Sequence, residues 1–284
     1  MVRVCLKPLR KVTARKVKKL PIDISKKKVG SGSYNLVYNA TIKKGCKDAG
    51  KKVIYRRSKD YMDSVSSFKQ ELKMAITMAR CGAGPEIYDA GVDSKNRSFM
   101  VLEYFPYSLR QLLDRKDRPK WSVIESSLKG PLKKMADSGV FCSDLKFRNV
   151  VVNKMGNKME CKMIDYGDDF CAWGDDVIIP KKYLKGVKKA PNMKKVLYAA
   201  MLMMMSINSE KHRKLAGAKK ALFSKEIGRM PPTVRTLALL LISHGRSKTG
   251  TMRRPISQAR HYYKGRLVDS NKIYEIITGD TLKN

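Results

Sequence analysis

Two stretches decide how this chain is read: Cys142-Ser143-Asp144-Leu145-Lys146-Phe147-Arg148-Asn149 and, further on, Asp165-Tyr166-Gly167. Between them lie two short β-like runs, Val150-Val151-Val152 and Met159 to Ile164, linked by a turn around Gly156. Two carboxylates and one amide, delivered from a loop and a strand end, are oxygen ligands suited to Mg²⁺ on a polyphosphate. A lysine two residues past Asp144 can neutralise a phosphoryl group as it transfers. Either piece alone reads better as a loop with polar turn residues. Together and in this order they carry weight.

Upstream, Gly30-Ser31-Gly32-Ser33-Tyr34-Asn35-Leu36-Val37 sits between two strand-like runs. A glycine pair lets a hairpin backbone lie close over phosphate oxygens, although an ordinary hairpin turn uses glycines in the same way. Strands are expected at Leu36-Val37-Tyr38 and Val53-Ile54-Tyr55, then from Ile87 to Val92 and from Phe99 to Glu103. A helix is expected from about Asp60 to Arg80, with Phe68, Leu72, Ala75, Ile76 and Ala79 as its apolar stripe and Gly82 to Pro85 as its stop. After Phe105-Pro106 the pattern changes: Leu109 to Leu113 and Val123 to Gly139 read as helices. Beyond Pro191 it is helical to the end, with breaks near Gly228 to Pro232 and Gly245 to Gly250.

In this order the elements resemble the eukaryotic-type protein-kinase superfamily over roughly residues 28 to 170. The resemblance implies an α+β, bilobal fold. A basic arm over 1–20 would precede a small β-rich N-lobe with one main helix over 21–105. A mostly helical C-lobe over 106–284, reduced after residue 190, would complete it. It also implies ATP and Mg²⁺ as cofactors. Gly30 and Gly32 would cover the phosphates, and Val37 would lie above the adenine. Arg56 would take the place of the usual phosphate-binding lysine, paired with Glu71. The Met100 to Phe105 run looks like the fifth strand and hinge, so the backbone at Glu103 and Phe105 would meet the adenine edge. Asp144 resembles the residue that orients the substrate hydroxyl and accepts its proton. Lys146 would steady the γ-phosphate, and Asn149 and Asp165 would hold metal.

Some positions depart from the family pattern. Asn35 replaces the third loop glycine. Arg56 substitutes a planar fork for a compact ammonium, as in divergent kinases of large DNA viruses, the group this chain looks like. Arg57 is adjacent, but strand alternation points it to the opposite face. The usual His-Arg-Asp is Cys142-Ser143-Asp144, which removes the basic partner of a phosphorylated activation loop. No Ala-Pro-Glu follows Asp165.

The bulk composition bounds the partners. Lys and Arg number 61 against 25 Asp and Glu, a formal charge of +36. Such an excess attracts nucleic acid, anionic membrane surface or acidic protein. Residues 1 to 28 hold eleven Lys or Arg and one acid, and Lys181 to Lys195 hold seven lysines and no acid. The second run lies near where a protein substrate would dock, so acidic or phosphorylated substrates are expected. The six cysteines are scattered, with no Cys-x-x-Cys and only three histidines. Free thiols in a reducing compartment are therefore expected, and a zinc site is not. No apolar run approaches membrane-spanning length, which predicts an intracellular, cytoplasmic protein, virion-associated if viral. The leading expectation is a Ser/Thr protein kinase. Its alternatives are a pseudokinase scaffold, motivated by Arg56 and the missing Ala-Pro-Glu, and a basic nucleic-acid-associated or virion-packaged protein.

Overall fold

The computed structural model describes residues 7–11, 20–31, 35–59, 65–156, 158–167, 169–184 and 192–248. The chain divides into two compact units, Met1–Phe105 and Pro106–Asn284. The first is rich in β-sheet and the second carries most of the helices, a mixed architecture compatible with a kinase-like fold.

The first unit contains β1 (Ile22–Ser31), β2 (Asn35–Ile42), β3 (Lys52–Ser58), α1 (Val65–Arg80), β4 (Ile87–Val92) and β5 (Ser98–Glu103). The strands form one antiparallel sheet in the order β1-β2-β3-β5-β4. Along β3 the period of two sends Val53 and Tyr55 into a cluster with Ile22, Ala40, Ile42, Tyr88, Phe99 and Val101. Arg56 belongs to the other set of alternating positions. Helix α1 buries Phe68, Leu72, Met74, Ala75, Ile76, Met78 and Ala79. It ends where Gly82 takes φ +75° and the Ala83 and Gly84 N–H groups both reach Met78 O at 2.9 Å. The expected start of this helix, at Asp60, lies outside the described residues.

Strand β1 is longer than the charge pattern implied. Only Ile22 is buried, and Asp23 to Val29 are exposed. An edge strand with a solvated surface has no need of apolar alternation, and Lys26, Lys27 and Lys28 discourage pairing with a further chain. At the opposite edge Leu9 donates its N–H to Ile87 O at 2.6 Å, so this part of the basic N-terminal segment lies against β4.

The second unit begins with β6 (Tyr107–Ser108), α2 (Leu109–Leu113), α3 (Trp121–Asp137) and β7 (Val140–Cys142). A hairpin follows, β8 (Val150–Met155) and β9 (Lys158–Met163), then β10 (Cys171–Trp173) and β11 (Val177–Ile178). Helices α4 (Met193–Leu215), α5 (Ser224–Gly228) and α6 (Pro232–His244) and the short β12 (Arg246–Ser247) complete it. Strand β12 pairs with β11, so the region around Gly245, expected only as a helix break, contributes a strand.

Helix α4 organises this unit. Val196, Leu197 and every residue from Ala199 to Ser209 are buried, and the helix packs against α3 and α6. A helix that is apolar on all sides belongs in the middle of a core. Met201, Met203, Met204 and Met205 fill that interior. Among the described residues no helix is long and apolar enough to cross a membrane.

Candidate active site

In the first unit the described sequence-expected residues fall on four neighbouring strands, β1, β2, β3 and β5, on α1 and just past the end of β5. Gly30 pairs with Val37 across β1 and β2, and Val37 pairs with Arg56 across β2 and β3. A Cβ on Gly30 would meet Val37 Cβ at 3.6 Å, an ordinary contact, so this glycine is not required by crowding. Gly32 lies outside the described residues. The Arg56 guanidinium forms an ion pair with Glu71 at 2.7 Å, and its other terminal nitrogen lies 3.7 Å from Met100 Sδ. Both side chains of the pair are more than four-fifths buried. Arg57 instead lies over the Tyr38 ring, 5.8 Å from its centroid. Glu103 closes β5. Its N–H donates to Glu86 O at 2.8 Å, and its carboxylate accepts from Glu86 N–H at 3.1 Å, so that backbone donor is already engaged. Phe105 is buried at the end of the unit.

In the second unit the loop after β7 brings Asp144, Lys146 and Asn149 together. Lys146 Nζ donates to Asp144 Oδ2 at 2.6 Å. Asn149 Nδ2 reaches the same oxygen at 3.1 Å and Asp144 O at 3.0 Å. A single turn of 3₁₀ helix over Phe147–Asn149 creates this geometry, folding Asn149 back over Asp144. The Ile164 N–H donates to Asn149 O at 3.0 Å, which ties the loop to the end of β9 just before Asp165. Asp165 is exposed and takes φ +71°. Among non-glycine residues Asp is one that tolerates this left-handed region, and such conformations concentrate at functional sites.

Burial raises the Asp144 carboxyl above its ordinary value. The Lys146 ammonium and the Asn149 amide oppose that rise, and the negative charge of Asp165 adds to it. A partly desolvated carboxylate with one ammonium beside it suits proton acceptance. Among the described residues no group of three or more His, Cys, Asp or Glu could hold a metal by itself. Mg²⁺ does not require such a cage, because it keeps waters and binds through one or two carboxylates plus phosphates. The donor set Asn149 and Asp165 fits that habit.

Four features of this loop were not read from the sequence. Ser143 directs both its N–H (2.8 Å) and its Oγ (3.1 Å) to Phe170 O. Asn208, buried in α4, donates to Leu145 O at 2.7 Å, while its Oδ1 has no hydrogen-bond partner. One turn on, His212 stacks on Phe147 with ring centroids 5.2 Å apart and is met by Arg110 at 2.8 Å. Burial and the Arg110 charge hold His212 down to about 4. The only signal available beforehand was a lone amide at the end of a methionine-rich run.

The fourth feature corrects the expectation of free thiols. Cys142 and Cys171 form a disulfide across the β7–β10 pair, where they are direct register partners. Cys46 is also disulfide-bonded. Cys81 and Cys161 are free, and Cys5 lies outside the described residues. Scattered cysteines gave no hint of pairing because the two that meet are 29 residues apart and are joined only by the fold.

No protein-family model matches the chain. Over 152 residues, 51% of its length, it is 27% identical to the serine/threonine-protein kinase dkf-1 of Caenorhabditis elegans. It is equally similar to the protein of the same name from Caenorhabditis briggsae. The match spans about a fifth of the length of these curated relatives, 21% and 20%. This likeness supports a distant, protein-kinase-like relationship.

Proposed function

We propose that this chain is a protein kinase that transfers the γ-phosphate of ATP to Ser or Thr hydroxyls of protein substrates. The observation that carries the reading is the Asp144 carboxylate, mostly sheltered, raised above its ordinary value, and held by Lys146 and Asn149. In this role Asp144 accepts a hydrogen bond from the incoming hydroxyl, aligns it for in-line attack, and takes its proton as the new bond forms. A basicity above that of a free carboxylate favours the last step. Lys146 has three N–H donors, so its bond to Asp144 leaves two that can neutralise the transferring phosphoryl group. Asn149 and Asp165 would hold Mg²⁺, which when bound neutralises charge on the phosphates. Arg56, kept in place by Glu71, would contact the phosphates under Gly30 and Gly32, and Glu103 and Phe105 would present backbone to the adenine.

Substrate preference follows from charge. Lys181, Lys182, Lys194 and Lys195 are all exposed, and the chain carries +36 overall. Acidic protein segments are therefore the proposed substrates. The same excess favours non-specific association with nucleic acid as a second property, and its signature would be a steep fall in binding with salt.

The test is a radiolabelled γ-phosphate transfer assay on acidic and basic proteins, with Asp144→Ala and Asp165→Ala alongside. Transfer that both substitutions abolish supports the reading, and preference for basic substrates removes the charge argument. Nucleotide binding without transfer would make the chain a pseudokinase scaffold, and salt-sensitive DNA binding without nucleotide binding would make it a nucleic-acid-associated protein.

A further inference from the structure

We propose that the Cys142–Cys171 disulfide is a redox-controlled positioning clamp: when oxidised it holds the segment bearing Asp144 against the segment bearing Asp165, and a dithiol reductant releases it. Its consequence for turnover rests on the phosphotransfer reading above; the clamp itself does not.

The geometry argues for positioning. Cys142 ends β7 two residues before Asp144, and Cys171 opens β10 six residues after Asp165. Each of these strands has only three residues. A two-stranded pair of that length holds its register weakly without further support. Beside the disulfide, the link between the two segments includes two hydrogen bonds from Ser143, both to the single carbonyl of Phe170. Cys171 also places its sulfur 3.8 Å from Asp165 O. Breaking the covalent link requires the two sulfurs to move to van der Waals separation. With both side chains almost fully buried, little room is left for side-chain rotation, and the separation is shared with a shift of one backbone against the other. That shift acts on Ser143, next to Asp144, and on Phe170, whose carbonyl Ser143 holds.

The chemistry is thiol–disulfide exchange. A reductant thiolate attacks one sulfur, forms a mixed disulfide and expels the other cysteine as a thiolate, which takes a proton. The second reductant thiol closes the reductant's own disulfide and releases the remaining cysteine as a thiol. Two electrons and two protons pass from the dithiol to the pair. Both cysteines are almost fully buried (3% and 1% exposed), so attack waits on local opening of the β7–β10 pair. Cys161 does not compete, because it is buried with its thiol pushed up to about 12.

The experiment uses the full chain carrying Cys46→Ser, which removes the disulfide formed by Cys46 from the comparison. Protein purified without reductant is equilibrated at graded ratios of oxidised to reduced dithiothreitol. The state of the Cys142–Cys171 pair is read by alkylation and mass mapping. Phosphate transfer and hydrogen exchange at the Ser143 and Ile164 amides are measured on the same samples. Reduction is expected to lower kcat at least about tenfold, since small misplacements of reacting groups are costly, while KM for ATP changes less than about twofold. Exchange at both amides should accelerate. Cys142→Ser with Cys171→Ser should match the reduced protein and ignore dithiothreitol, whereas Cys81→Ser should respond as the parent does. Finding both cysteines as thiols before any reductant is added overturns the proposal. So does a fully reduced pair with unchanged turnover and unchanged exchange. If the oxidised protein transfers no phosphate, the kinase reading fails separately, and the exchange difference alone decides the clamp.

Discussion

In each unit a short cation–carboxylate pair joins two of the sequence-expected site residues, and the two pairs are held by opposite means. Arg56 meets Glu71 at 2.7 Å across a strand and a helix. Lys146 meets Asp144 at 2.6 Å within two residues of one loop. The first pair exists only because α1 docks near β3, and its two partners neutralise each other in a mostly buried setting. The second is local, but the loop that carries it is fastened from outside by Asn208, the Phe170 carbonyl that Ser143 meets, and the Cys142–Cys171 disulfide. Its carboxylate is held above its ordinary range by burial. The first arrangement spends its charge on structure. The second keeps a carboxylate poised, at some cost to stability.

Replacing each carboxylate breaks this comparison most sharply. Asp144→Asn is expected to lower phosphate transfer by about 10³-fold, the range of a lost general base. The same change should raise the melting temperature at pH 7. The sign follows from the raised folded-state value of Asp144: its contribution to stability is present at low pH and is lost as pH rises through that value. A neutral isostere removes this cost. Thermal scans of Asp144→Asn beside the parent at pH 7 check the claim, and a lower melting temperature would contradict it.

Glu71→Ala should act in the opposite direction on stability. It leaves the Arg56 guanidinium mostly buried without this carboxylate, at a cost of about 1–3 kcal/mol, between exposed and fully buried pairs. Urea unfolding of the variant would show the loss, and KM for ATP should rise more than kcat falls.

Asn208→Leu sharpens the account of the loop. The Leu145 carbonyl loses its buried donor, which costs about 1–3 kcal/mol. Removing an amide whose own oxygen is unsatisfied offsets much of that. The expected result is a fall in kcat of about tenfold with little change in melting temperature, read from steady-state kinetics and calorimetry. Equal losses in both would mean that Asn208 only supports the fold.

The smallest effect concerns pH. His212 has an ordinary value of 6.5 and is held at about 4 in the folded chain. Its contribution to stability is complete above pH 6.5 and is lost as pH falls toward 4, because the unfolded chain takes up the proton first. The parent should therefore lose melting temperature between pH 7 and pH 4.5 more steeply than His212→Phe, which keeps a ring against Phe147. Parallel slopes would remove His212 from the account.

The helix at Leu109–Leu113, the stop of α1 at Gly82 and the β8–β9 hairpin were all legible, because local period and turn chemistry encode them. Strand β1 was under-read for the reason that makes it an edge: its surface is solvated, so lysines hide the strand. The Arg56–Glu71 pairing came from family resemblance and not from spacing.

The amino-acid order alone supplied Asp144, Lys146 and Asn149 at fixed short intervals, since residues so close in the chain meet through local backbone conformation. Tertiary structure alone decided that Cys171 returns to Cys142 and that Asn208 reaches Leu145, across 29 and 63 residues. Contacts over such separations are selected by how a buried helix and two short strands pack together, and one-dimensional spacing carries no record of that.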